Sequence, residues 1–96
     1  YEKRDLRLDF RRLEATRAGR PVSLTPTEFR ILRTLARRAG QVVTIEELVE
    51  EVWGKVSLTD RVVYTHINNI RNKIEPRPRK PRFIVGVRGV GYRMEA

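Results

Sequence analysis

The chain has 96 residues, 40% of them apolar, no cysteine and a formal charge of +9. That length supports a single modest core spanning residues 1–96, and the apolar share excludes an intrinsically disordered chain. Disulfides and thiolate metal sites are excluded too, and no apolar run nears the ~20 residues that cross a bilayer, so no membrane segment and a cytoplasmic setting are expected.

The distribution of charge says more than its total. Residues 1–60 hold 12 basic and 10 acidic side chains, whereas residues 61–96 hold nine and two. The positive field therefore belongs to the C-terminal part, and its natural partner is a polyanion, nucleic acid before an anionic membrane. The chain starts at Tyr1 with no initiator methionine and no signal-peptide pattern, which points to a piece of a larger protein.

Leu6, Leu8 and Phe10 alternate with charged residues, the pattern of a half-buried strand. Residues 13–16 and 22–24 read as two further strands, with Arg17-Ala18-Gly19-Arg20-Pro21 between them as a turn. Next, Thr25-Pro26-Thr27-Glu28 spells a helix start: Thr25 as cap, Pro26 at the first position, Glu28 closing a capping box. This helix is expected to reach Ala39, with Phe29, Leu32, Leu35, Ala36 and Ala39 inward and Gly40 as a left-handed stop. Arg30, Arg33, Arg37 and Arg38 fall on its solvated side.

Residues 41–43 suit a very short strand. Thr44 and Glu47 repeat the capping-box spacing and open a second helix, whose inward stripe is Ile45, Leu48, Val49, Val52 and Trp53. Glu46, Glu47, Glu50 and Glu51 make its outer side acidic, and that side must face away from any polyanion. Gly54 ends it, and Thr59 stands as the cap of a third helix.

Residues 60–75 form that third helix, and the rest is organised around it. Val63, Ile67, Ile70 and Ile74 recur every three or four residues on one stripe. The opposite face carries Arg61, Thr65, Asn68 and Asn72, flanked by Tyr64, Asn69 and Arg71, with Lys73 adding a further cation. Asparagine is a poor helix former, so three of them on one surface give up propensity for amides that can bond base edges. Pro76, Pro78 and Pro81, mixed with Arg77, Arg79, Lys80 and Arg82, forbid regular structure and make a basic loop. That loop is either merely solvated or close to a polyanion. Phe83, Val85 and Val87 then alternate, Arg88-Gly89-Val90-Gly91 turns, and residues 92–94 run back: residues 83–94 are a β-hairpin with a cation at its tip.

Three helices, the last with a polar outer face, and a basic-tipped hairpin describe an α+β winged helix-turn-helix with an N-terminal antiparallel sheet. In that arrangement the third helix enters the major groove and the hairpin wing reaches the adjacent minor groove. The segments LTPTEFRILRTLARRAGQVVTIEELVEEVW, RVVYTHINNIRNKIE and RFIVGVRGVGYRM resemble the effector domain of OmpR/PhoB-type response regulators, over residues 6–94. The resemblance implies a four-stranded N-terminal sheet, a three-helix bundle and a C-terminal hairpin. It also implies an upstream receiver domain served by a histidine kinase, dimeric binding to tandem half-sites, and regulation of transcription. In many members the loop matching residues 54–59 contacts RNA polymerase; here it is short.

By position, the resemblance assigns Arg61, His66 and Arg71 to phosphates, Thr65, Asn68 and Asn69 to base edges or adjacent backbone, and Arg88 to the minor groove. Tyr64, Asn72, Lys73 and Gly89 complete the candidate DNA-binding set. The chain departs from the family at Tyr64-Thr65, where Asp-Val is common, and at Asn68-Asn69, where Arg is frequent. Fewer cations on the helix weaken phosphate anchoring and shift preference towards adenine, which Asn reads bidentately. No catalytic, cofactor or metal site is expected, because His66 is the only histidine and no carboxylate has a nucleophilic neighbour. His66 is expected beside the core with a ring nitrogen towards a phosphate, Trp53 in the core, and Tyr92 packing the wing on the helices. Two other readings fit the same charge: a winged-helix module that docks a protein, and an RNA-binding basic domain. Salt sensitivity separates the first, and duplex preference the second.

Overall fold

The computed structural model describes residues 1–54 and 58–96. It opens with four short antiparallel strands, β1 (Glu2–Lys3), β2 (Leu6–Asp9), β3 (Glu14–Arg17) and β4 (Arg20–Pro21), in sequential order. Three helices follow: α1 (Pro26–Arg37), α2 (Ile45–Trp53) and α3 (Asp60–Ile74). Between α1 and α2, β5 (Val42–Thr44) pairs with β7 (Gly91–Met94), which pairs in turn with β6 (Ile84–Val87), giving a second sheet of order β5-β7-β6. This is the α+β winged-helix arrangement with a C-terminal hairpin.

Alternation in β2 works as expected over Leu6 and Leu8, which are buried with Ala15 of β3 against the helices. The edges of the first sheet differ from expectation. Phe10 lies outside β2 and Leu13 outside β3, because the Asp9 carboxylate accepts the amides of Arg11 and Arg12, both at 3.0 Å, and folds residues 10–13 into a turn. Leu13 has φ +53° and is 58% exposed. Those two bonds, the one from Arg12 first, hold the Asp9 carboxyl below its ordinary range. The expected strand over 22–24 is replaced by β4 one step earlier. Only Val22 still bonds back, to the Ala15 carbonyl at 2.8 Å, before the chain leaves for the α1 cap.

Both capping boxes form. Thr25 Oγ1 accepts from Glu28 N at 3.1 Å while Glu28 Oε1 accepts from Thr25 N at 2.9 Å. Thr44 and Glu47 repeat the pair at 3.1 and 3.0 Å. α1 stops at Arg37, two residues short of expectation, through tight bonds from Arg38 to Leu35 and Ala39 to Ala36, and Gly40 then turns with φ +86°. Ile31 joins Phe29, Leu32 and Leu35 in the core, whereas Ala36 and Ala39 are only half-buried. α3 begins differently: Thr59 holds the cap position, yet its side chain makes no capping bond. Residues 55–57 lie outside the described residues, and with them half of the 54–59 loop expected to meet RNA polymerase.

The core is one cluster in which the back of α3 is central: Val63, Ile67, Ile70 and Ile74 are all fully buried, as their spacing predicts. α3 is thereby fixed to the body by one face and presents the other. The wing is fixed by Gly91. A Cβ there would lie 2.0 Å from the Val43 carbonyl oxygen, so only glycine lets β7 approach β5 this closely.

Candidate nucleic-acid interface

Because the four apolar residues of α3 face inward, helical geometry forces Arg61, Tyr64, Thr65, Asn68, Asn69, Asn72 and Lys73 to the exposed side, and all seven are exposed. Among the described residues the amides of Asn68, Asn69 and Asn72 make no protein hydrogen bond. Their donors and acceptors are therefore available in pairs, as bidentate base contact needs. Thr65 donates its hydroxyl to the Arg61 carbonyl at 2.9 Å and retains its oxygen as an acceptor.

Three of the sequence-designated residues have work inside the protein. His66 Nδ1 lies 2.9 Å from the Val62 carbonyl, so this nitrogen carries the hydrogen and Nε2 points elsewhere; its ring meets Trp53 edge-on at 5.2 Å. Lys73 reaches Glu28 Oε1 at 2.6 Å, tying the end of α3 to the start of α1. Arg71 gives both Nε (3.2 Å) and Nη2 (2.9 Å) to the Ile84 carbonyl and stands 5.6 Å over the Tyr92 ring. Burial pushes the Tyr92 phenol above its ordinary value, and the Arg71 cation opposes that rise.

The wing tip lies beside this helix. Val90 N bonds the Val87 carbonyl at 3.0 Å, closing a tight turn in which Gly89 takes φ +75° and Arg88 is exposed. Between α3 and the wing runs a cleft of about 410 Å³ lined by Tyr64, Arg71, Arg88, Val90 and Tyr92, among others. Tyr64 at 52% exposure and Val90 at 46% stand in this cleft as large apolar groups open to solvent. Sequence reading passed over Val90, although an apolar residue in a glycine turn is itself a signal of something to contact. It also passed over Glu75, which is 4% exposed at the end of α3. An acid at the negative end of a helix opposes the macrodipole, which should have marked it as specifically bonded.

The acidic side of α2 leaves Glu46, Glu50 and Glu51 exposed, while Glu47 pairs with Arg38 at 2.6 Å. Among the described residues no group of His, Cys, Asp and Glu is placed to hold a metal ion, and no helix is long and apolar enough to cross a membrane.

A helix with its apolar side locked into a bundle, its polar side open, and a cationic hairpin beside it defines a winged-helix DNA-binding domain. Residues 19–94 match the family described as "Transcriptional regulatory protein, C terminal". The chain belongs to this family, as an OmpR/PhoB-type effector domain of a response regulator. It is similar to the DNA-binding response regulator MtrA of Mycolicibacterium smegmatis, at 42% identity over 90 residues, 93% of this chain and 40% of that relative. The chain thus spans well under half the length of such relatives. Response regulator DrrB of Thermotoga maritima superposes with a TM-score of 0.92 at 40% identity, over all of this chain and 44% of that one. The DNA-binding domain of Klebsiella pneumoniae RstA, solved with its RstA box, gives 0.87 at 27% identity, over 99% of this chain and 95% of that one.

Proposed function

We propose that α3 enters the major groove of a specific duplex, that the wing reaches the adjacent minor groove through Arg88, and that two copies occupy tandem half-sites. Asn68, Asn69 and Asn72 supply base contacts; Arg61 anchors phosphates with His66 Nε2; Thr65 and Tyr64 meet base edges or sugar. In the complete protein this domain is the output of a cytoplasmic receiver switched by a histidine kinase, a reading supported by the larger size of its relatives. The observation that carries the proposal is the joint exposure of the three asparagines on α3 and of Arg88 on the wing. These two elements flank one cleft, through Tyr64 and Arg71 on one side and Arg88 and Val90 on the other.

Selecting bound sites from a random duplex pool tests it. Binding to the selected site should fall with salt at a log–log slope of about −0.9 per phosphate neutralised. Asn69→Ala should cost ~1–3 kcal/mol on that site and much less on random duplex, whereas an equal loss on both would make Asn69 a backbone contact. Arg88→Ala should flatten base preference in the minor-groove segment. Salt-insensitive binding, or tighter binding to duplex RNA of the same sequence, would overturn the reading.

A further inference from the structure

Glu75 is a buried carboxylate that the DNA-binding reading does not use. Its Oε1 accepts from Arg82 N (2.8 Å) and Phe83 N (3.1 Å), and its Oε2 from Phe83 N (3.0 Å) and Ile84 N (2.9 Å). One turn earlier on α3, Arg71 takes the carbonyl of Ile84. Two side chains of the reading helix therefore grip both backbone polar groups of one wing residue.

The register explains why Ile84 is the residue gripped. β6 is the edge strand of the β5-β7-β6 sheet, with Ile84 opposite Met94. Glu95 N donates to the Phe83 carbonyl at 2.9 Å while Phe83 N goes to Glu75, so the bonding position of the ladder falls at Phe83 and Glu95 with one of its two bonds made. In an antiparallel ladder the next pair turns its amide and carbonyl away, and those of Ile84 point outward from β7. With its side chain fully buried, Ile84 would carry an unpaired N–H and C=O at a covered edge. Glu75 supplies the acceptor and Arg71 the donor that a neighbouring strand would have supplied. Gly86, the next outward-facing residue, lies beside the same guanidinium: a Cβ there would meet Arg71 Nη2 at 3.7 Å, an ordinary contact.

We infer that Arg71 and Glu75 are positioning residues that lock the wing to the recognition helix, so that the two grooves are read at one fixed offset. Arg71 acts through Ile84 and not as a phosphate ligand. The same four bonds to Glu75 anchor the far end of the proline-rich loop, so the wing starts from a set point one residue after Arg82. The inference rests on the reading that helix and wing address one duplex.

The variants Arg71→Gln, Arg71→Lys and Glu75→Gln decide it through two measurements, one of which uses no DNA. Residual dipolar couplings of the free domain should show the β6–β7 tip reoriented or averaged relative to α3 in each variant that keeps its melting transition. Couplings identical to the parent would overturn the clamp, whatever the DNA data say. Arg71→Gln is the solvent-accessible partner and retains the buried acceptor, so it remains a usable variant if Glu75→Gln unfolds. In site selection, preference at wing-read positions should drop about tenfold, the size of one base contact, with helix-read positions retained. On random duplex the Arg71→Gln salt slope should match the parent; a slope shallower by about 0.9 would make Arg71 a phosphate ligand and overturn its assigned role. Lysine keeps the charge but not the two-nitrogen grip, so Arg71→Lys should behave like Arg71→Gln; restoration of parental selectivity by Lys would overturn the proposal. Failure of the parent to bind duplex DNA would instead strike the function proposed above, with the couplings still judging the clamp.

Discussion

Residues 1–54 and residues 58–96 handle charge in opposite ways. In the first region Arg7, Arg12, Arg17 and Arg38 meet Glu2, Glu14, Asp5 and Glu47 of the same region. In the second, among the described residues, the only cation in an ion pair is Lys73, and its partner Glu28 belongs to α1. Arg61, Arg77, Arg79, Lys80, Arg82 and Arg88 enter none. α1 also carries unpaired arginines, at 30, 33 and 37, but within a region whose charges nearly balance. The first region holds four ion pairs of its own and shares two with the second, Arg4 with Glu95 and Glu28 with Lys73, whereas the second leaves most of its cations outside any ion pair among the described residues. Exposed pairs contribute little to stability, so the contrast concerns where a polyanion is attracted more than how the fold is held.

The largest expected effect breaks the joint between the two regions. Gly91→Ala would place a Cβ 2.0 Å from the Val43 oxygen and 2.8 Å from Thr44 Cα, both backbone atoms that cannot yield. It should destabilise the domain by ~4 kcal/mol or more, seen as a collapse of the thermal midpoint. Gly86→Ala, with nothing nearer than 3.7 Å, should leave that midpoint close to the parent.

The next effect separates the two faces of α3. Ile67 is fully buried, and Ile67→Ala should cost ~2–5 kcal/mol, a large part of the ~5–15 kcal/mol typical of a domain. One residue on, Asn68→Ala should leave the melting curve in place and weaken the selected DNA site instead. If denaturant titration found both variants equally destabilised, the division of α3 into an anchored and a reading face would fail.

Capping gives a smaller contrast. Thr25→Ala and Thr44→Ala each remove a reciprocal box and should cost ~1 kcal/mol. Thr59→Ala should cost almost nothing, since that side chain caps no amide. Equal losses at all three positions in urea titrations would mean that α3 is capped in solution by the Thr59 hydroxyl after all.

These contrasts also mark what was legible in the chain. The apolar stripe of α3, both capping boxes and the glycine turn of the wing are local patterns, each set by residues within one or two turns, and each forms. The sheet edges were less legible, because the turn at 10–13 is decided by one carboxylate, Asp9, competing with the apolar signal of Leu13. The double burial of Phe83 and Ile84 broke the expected alternation, since Phe83 precedes β6 and packs where the basic loop ends. Of the candidate site, the exposed asparagines could be placed from helical periodicity and Arg88 from the glycine-bearing turn of the hairpin. The internal partners of Arg71 and Lys73 could not, since Ile84 and Glu28 lie 13 and 45 residues away and a helical wheel carries no long-range distance.

The smallest effects are in the response to pH, and they sharpen the contrast by falling on α2 and at Tyr1, away from the exposed face of α3. Glu47 is held at about 2, first by the side-chain bond from Arg38 and then by the Thr44 amide and hydroxyl, against an ordinary value of 4.5. Its folded-state pKa is depressed, so its contribution is complete above the ordinary value and lost as pH falls from about 4.5 towards about 2. Tyr1 runs the other way. Burial first, then the negative charges of Glu95 and Glu75, raise its phenol from 10.0 to about 12 while its hydroxyl donates to the Glu95 carbonyl at 2.6 Å. A raised value stabilises the protonated phenol, so this contribution is complete below pH 10 and lost as pH climbs towards about 12. Thermal midpoints across pH should therefore fall at both ends. Glu47→Gln should flatten only the acid limb and Tyr1→Phe only the alkaline one. Neither variant should alter DNA affinity near neutral pH, because neither side chain stands on the exposed face of α3 or at the wing tip. A shift in DNA binding with either one would show that the body and the reader are not separable.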